Sequence, residues 1–484
     1  MNRIKFSLWV CTLLCTPPLS VNPLFAAIVP MGNVEPDIST WTSSVSGYIG
    51  RTSDGSVLVD GGSTLRSSGG YLGYDTGVTG IATITGIGTK WNNSGLLVGV
   101  AGTGIVNVES GAELDGRTVI LGNDQGSSGT LNITGDDTGL NTSTLFSIGA
   151  GGTGTFTIQD GAEATTTATT RIGHFEGSLG IFTISGFGSS WTSEGALVVG
   201  TQGNGTVIVE AGGSLVKKRT SAAVGSQPGS TGSVIVSGIG TQWNSTQAGT
   251  SVGIEGTGSL LVSDGALFAD STLRTGYIEG GIGRVTVSGT GSHIMCRAVY
   301  AGLSGDAVVK ITNGGLMSVR EVLTVDNDLD GDSFINMAAG GMLALMGEAD
   351  TSLTDFLELV DGTDAIRYWD SNLFDWAPLT AATNGIDYTL TYLTEGDLTG
   401  YTLLTVGQVG DLEGDYDADG DVDGADFLAW QRDPSLGSLA DWHANYGAGS
   451  PLIANSSAVP EPATAVLMLL LAHLAMLARR KRQF

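Results

Sequence analysis

The chain predicts an all-β fold, a parallel β-helix of about twelve coils, and three observations in the sequence lead there. A segment of about fifty residues recurs roughly six times between Trp41 and the 320s. One landmark, a Gly closing a β-type run, falls at Gly61, Gly111, Gly161, Gly212, Gly265 and Gly314, and a second, the glycine of an "SGxGSxW" block, at Gly86, Gly135, Gly186, Gly238 and Gly289. The third is composition: 76 glycines in 484 residues without the strict third-position repeat of collagen, and 41% hydrophobic side chains, too many for simple disorder. A fixed period of this size marks a solenoid, in which each unit covers the open face of the one before it.

Each unit divides into two related halves. One reads "LLVGVAGTGIVNVESGAEL" from Leu96 and the other "RIGHFEGSLGIFTISGFGSSW" ending at Trp191. Both hold short alternating strands such as Thr155-Phe156-Thr157-Ile158 between Gly-rich bends. About 25 residues per half fits one β-helical coil, and twelve coils at the ~4.8 Å strand spacing give a rod of about 55–60 Å. Gly serves at bends that need a positive φ. Inward Val, Ile and Leu, Val106 and Val207 among them, are expected to stack on their equivalents one coil away. An antiparallel sandwich is the rival, but paired strands around two-residue hairpin turns are not evident.

The formal net charge of −27 argues against nucleic acid or an anionic membrane surface as a partner. Cys11 and Cys15 lie in the N-terminal apolar stretch, which leaves Cys296 alone and the fold without a disulfide staple.

Trp41, Trp91, Trp191 and Trp243 share one repeat position, with Leu140 and Ile294 as equivalents. A Trp ladder suits stacking on sugar rings, but a position that accepts Leu and Ile reads as packing at a coil corner. His174 and His293 stand in different coils without matching partners, and Glu109, Glu113 and Asp115, the densest acidic patch, read as a solvated turn. Asp326 to Asp332 resembles a calcium loop only briefly, because Met337 stands where its last carboxylate belongs. Residues 28–325 are therefore assigned to the coils and 326–408 to terminal coils and a β-rich cap.

The sharpest chemical motif is Asp415, Asp417, Asp419, Gly420, Asp421, Asp423 and Asp426. Oxygens at loop positions 1, 3, 5, 7, 9 and 12 suit Ca²⁺, which takes six to eight hard ligands, and the Gly permits the sharp bend. Position 7 gives its backbone carbonyl, Val422 is expected to pack inward, and Phe427 to Arg432 reads as a short helix. With Asp at position 12 and no entering helix, the segment resembles a type I dockerin repeat, an EF-hand-like module spanning 409–449. That resemblance implies a second loop and a cohesin partner. The second copy, Ala440-Asp441-Trp442, has lost its acidic loop, which argues against cohesin binding.

The two ends give an address. Residues 1–27 carry a basic start, an apolar run and Ala26-Ala27, the pattern of a secretory signal peptide. After a linker at 450–458, residues 459–484 hold Val459-Pro460-Glu461-Pro462, an apolar stretch from Ala463 to Ala478 expected to form a transmembrane helix, and Arg479-Arg480-Lys481-Arg482. This arrangement resembles the PEP-CTERM sorting signal, which implies processing by an exosortase, a transient inner-membrane anchor and release to the cell surface or extracellular matrix. The coils resemble the type V secretion/PEP-CTERM-associated repeat. That family implies adhesion or a passive scaffold in an extracellular polysaccharide setting, and no catalytic residue comes with it. The alternative is a polysaccharide-degrading lyase or hydrolase, or an accessory subunit of one, recruited through the dockerin-like module.

Overall fold

The structure is a computed structural model, and it describes residues 27–447 apart from 328–331, 350–351, 363–364, 371–372, 374, 408–413, 415, 417–421, 433 and 435–436. The expected signal peptide as far as residue 26, the 459–462 motif and the apolar 463–478 stretch lie outside the described residues. No helix among the described residues is long and apolar enough to cross a membrane.

Two long sheets wrap one apolar interior. The first has 15 strands, and only its outermost two, Ala27–Gly32 and Asp375–Pro378, run antiparallel to their neighbours. The thirteen between them are parallel, one per coil, from Gly55–Asp60 to Ile366–Asp370. This is a parallel β-solenoid, close to the twelve coils expected, and hairpin-paired layers are excluded. The terminal antiparallel strands cover edges that would otherwise offer unpaired N–H and C=O groups to another chain.

Seven-residue strands of the first sheet alternate, with the buried Thr312 ending Asp306–Thr312 as an exception. In Thr103–Glu109, Gly104, Val106 and Val108 are buried while the residues between them look outward. Parallel register places Val106 on Leu131 and Leu131 on Phe156, so each inward side chain touches its own equivalent in the next coil. β-branched residues suit this because their stiff χ1 fits a pleated, half-buried surface. Where the column takes larger side chains, Phe156 and Phe182 stack at 4.8 Å.

The second sheet turns a corner. In Lys90–Val98 the buried residues are Trp91 and Asn93, then Leu96 and Val98, a step of three instead of two. In the coil of Glu163–Thr166 and Thr169–Ile172 the strand is split outright, and both pieces pair with the single strand Gly139–Ile148. The split is a bend in the coil, which the sheet follows without closing into a barrel.

The fifty-residue period spans two coils of about 25 residues because two turns alternate after the first-sheet strands. One has two consecutive residues at positive φ, as at Ser110 (58°) and Gly111 (81°). The other is the SGxGS turn, with Gly186 at 93° and Gly188 at 85°. In this frame Gly62, not Gly61, is the equivalent of Gly111, since Val59, Ile84 and Val108 are in register.

Past the last parallel coils, Tyr401–Val406 lies antiparallel between Gly341–Met346 and Tyr388–Tyr392. Two short helices follow, Gly424–Arg432 and Leu439–Asn445.

Candidate functional site

All four tryptophans of the repeat position face inward: Trp41, Trp91, Trp191 and Trp243 are buried, as are Leu140 and Ile294. Trp91 Nε1 donates to Ser67 Oγ at 3.2 Å, and Trp243 stacks on Phe268 at 5.5 Å. They fill the coil corner, so no sugar platform is built from them. An outward aromatic group does exist, which sequence reasoning missed because it falls off the fifty-residue period. Tyr48 and Tyr71 stack at 4.9 Å, Tyr74 meets Tyr48 edge-on, and the Arg51 guanidinium lies 4.7 Å from the Tyr48 ring centre.

A column of buried polar residues runs up the inside of the same corner. Ser67, Asn93, Gly116, Thr142, Thr166, Ser193 and Lys217 occupy one register position in successive coils. Ser245, Asp270 and Cys296 continue it. Thr142 and Thr166 bond to each other at 2.6 Å. The Lys217 ammonium bonds the Gly195 carbonyl and the Ser193 hydroxyl, and burial lowers its pKa to about 8. Burial likewise raises Asp270 to about 7, against the opposing pull of hydrogen bonds from the Thr250 hydroxyl and the Thr272 N–H. Burial also raises the Cys296 thiol well above its ordinary range, the reverse of what a reactive thiolate needs.

Two grooves open beside this corner. The first, of about 450 Å³, lies where coils meet cap and is lined by Asp270, Arg297, Arg320, Asp397 and Tyr401, among others. Asp270 is only 3% exposed and has both oxygens engaged, while Arg297 is paired with Glu321 at 2.9 Å. Among the described residues, Arg320 and Asp397 are its remaining charged groups without an ion pair. The second groove, of about 370 Å³, is bordered by Asn92, Asn93, Asp115, Arg117, Asn141 and Thr165. Here the sequence reading is corrected: Glu113 and Asp115 lie on the strand Glu113–Leu121, not in a solvated turn. Glu113 pairs with Lys90, and both acids accept hydrogens from the Asn141 amide at 2.9 Å.

His174 and His293 stay apart. The first stacks on Phe175 at 4.0 Å, the second meets Ser318 Oγ at 2.8 Å, and burial lowers both pKa values.

Of the acidic-loop ligands, Asp415, Asp417, Asp419 and Asp421 lie outside the described residues. Asp426 is fully buried, and its two oxygens accept the N–H groups of Tyr416 and Asp423, each at 2.7 Å. The Asp423 carboxylate accepts Ala425 N–H at 2.6 Å, which starts the helix Gly424–Arg432. Val422 is buried, as expected of loop position 8. Phe427 meets Trp442 at 5.0 Å, and Trp442 Nε1 donates to the Asp423 carbonyl, so the two helices close against the loop's exit. Asp423 and Asp426 supply hard carboxylate oxygens of the kind a calcium loop uses.

No protein-family model matches the chain, and no solved structure does. Two curated proteins are similar to part of it. The BmaC autotransporter adhesin of Brucella suis is 29% identical over 155 residues, 31% of this chain and 4% of that protein. The uncharacterized lipoprotein YdeK of Escherichia coli is 29% identical over 130 residues, 26% of this chain and 10% of that protein. The chain thus matches a small fraction of the length of either relative.

Proposed function

We propose that this chain is an exported surface protein with a structural or adhesive role, acting as a rod rather than as an enzyme. The observation that carries the reading is the unbroken register of thirteen parallel coils, which sets one short stretch of outward side chains over the next for the length of the stack. Such a surface suits many weak, repeated contacts with a repeating partner, and an extracellular polysaccharide is the partner chemistry that fits. Partial similarity to an autotransporter adhesin supports the same reading.

The finer parts of the proposal rest on sequence motifs. The signal peptide would export the chain, and the Val459-Pro460-Glu461-Pro462 tail would hand it to an exosortase-type enzyme. The Asp415–Asp426 loop would take Ca²⁺, with Asp423 and Asp426 among its ligands. Bound there, the ion would supply charge neutralisation that orders the loop ahead of the Gly424–Arg432 helix.

The test is adhesion. Cells displaying the full chain are expected to be retained on polysaccharide-coated surfaces more strongly than cells displaying a chain shortened by two coils. Equal retention of displaying and non-displaying cells would overturn the reading, as would release of new chain ends from the polysaccharide by the purified protein.

A further inference from the structure

We propose that the groove beside Asn93 is a binding site for a neutral saccharide. The proposal rests on the adhesive reading above and assigns it a definite place on the rod.

The site begins with a missing side chain. Along the polar corner column, Ser67, Asn93, Thr142 and Thr166 each carry a hydrogen-bonding group, but Gly116 between Asn93 and Thr142 carries none. The gap leaves the Asn93 carboxamide over bare glycine: a Cβ at residue 116 would sit 3.4 Å from Asn93 Oδ1. Asn93 is 7% exposed, and among the described residues neither its oxygen nor its nitrogen has a hydrogen-bond partner; the buried Oδ1 of its neighbour Asn92 has none there either. Buried amides left without partners are costly, because they give up water and gain nothing in return. Turning Asn93 into the adjoining groove of about 370 Å³ breaks no bond and offers two N–H donors and a carbonyl acceptor.

The rest of the rim is already oriented. Asn141 Nδ2 donates to Glu113 and Asp115 while its Oδ1 accepts from Thr165, which fixes the amide and holds Asp115 by one oxygen. Asp115 lines the groove, and its other oxygen accepts no hydrogen bond among the described residues. Arg117, two residues along the same strand, is exposed, lines the groove and has no ion-pair partner among the described residues, so its N–H groups are available donors.

Donors and acceptors thus line the same cleft. An anion would meet the Asp115 carboxylate. A hard cation would find one uncommitted carboxylate, too few for the six to eight oxygens that calcium wants. Vicinal hydroxyl groups, each donating once and accepting once or twice, match amide, carboxylate and guanidinium together. A short run of neutral sugar units is the ligand class that this geometry selects.

The experiment is calorimetric titration of the intact protein with short cello-, manno-, galacto- and xylo-oligosaccharides, with oligogalacturonate and Ca²⁺ as controls. At least one neutral series should bind, and Asn93→Ala and Asp115→Asn should each weaken it about tenfold or more. Asn93→Ala removes a group with no internal partner, so the coil is expected to fold. Asn132→Ala, in the other sheet, should bind like the parent. Flat titrations for every neutral series, binding indifferent to both groove variants, or preference for oligogalacturonate or Ca²⁺ at this groove would each overturn the proposal. The same variants displayed on cells separate the two readings. Retention without oligosaccharide binding sinks the groove and leaves adhesion standing; binding without retention does the opposite.

Discussion

The Thr138 hydroxyl, buried at a second-sheet entrance, accepts the backbone N–H of Gly111 in the preceding coil at 2.9 Å. The same bond recurs from Gly62 to Thr89, Gly161 to Ser189, Gly212 to Thr241 and Gly265 to Ser292. The two sequence landmarks are therefore one device: the Ser or Thr of each SGxGS turn satisfies a glycine N–H that its neighbour's two-residue turn leaves open. Thr138→Val, which removes the acceptor and keeps the shape, should cost about 1–2 kcal/mol. Thr138→Ser should recover most of that. Urea midpoints of the three proteins decide it, and equal midpoints for Val and Ser would show that the bond contributes nothing.

Gly154 separates crowding from backbone strain. A Cβ there would lie 1.9 Å from Gly149 N, a backbone atom that cannot move aside, whereas at Gly126 (φ 82°) nothing lies within 4 Å. Gly154→Ala should cost about 3 kcal/mol or more, and Gly126→Ala only about 1 kcal/mol for the left-handed backbone. Thermal melts of the pair test the order, and a reversed ranking would contradict the coil packing.

Val207 stacks between Phe182 and Val234 with no exposure. Val207→Asp should cost on the order of 4 kcal/mol, because an unpaired carboxylate enters an apolar column. Contacts run only between adjacent coils, so hydrogen exchange should accelerate near residues 180–237 first. Uniform acceleration along the whole stack would contradict that.

Asp270 gives a pH signature. Its folded pKa of about 7 exceeds the ordinary 3.8, so the folded chain holds the proton more tightly than the unfolded one. Its contribution is therefore greatest below about pH 4, declines as pH rises to about 7 and is flat above that, with a total of at most about 4 kcal/mol. Asp270→Asn keeps the shape without the titration. The difference in melting temperature between variant and parent should widen in the variant's favour from pH 4 to pH 7. A constant difference would mean that Asp270 titrates normally.

Calcium should act on the C-terminal helices. In the full chain, millimolar Ca²⁺ is expected to protect 416–447 from proteolysis relative to chelator, and Asp426→Asn to abolish the protection. Identical digestion patterns with metal and with chelator would remove calcium from the proposed function.

Inward positions repeat in kind, so the coil and its apolar columns were legible from the chain alone. The Trp series reads as packing because Leu140 and Ile294 take the same place, and both are buried there. The corner column was not legible. Gly116 looks like any other of the 76 glycines, and Asn93, Lys217 and Asp270 sit in coils of unequal length, so no fixed period links them. Glu113 and Asp115 looked like a turn because acidic clusters usually are one; their strand places them beside Asn141, 28 and 26 residues away.

Sequence alone determined that this chain coils, because each half-unit repeats the same alternation of small, branched and glycine residues, and only stacking buries that pattern. Tertiary structure decided which polar groups meet. Register between coils brings together residues about 25 positions apart, and one missing side chain in that register, at Gly116, separates a satisfied interior from an open amide.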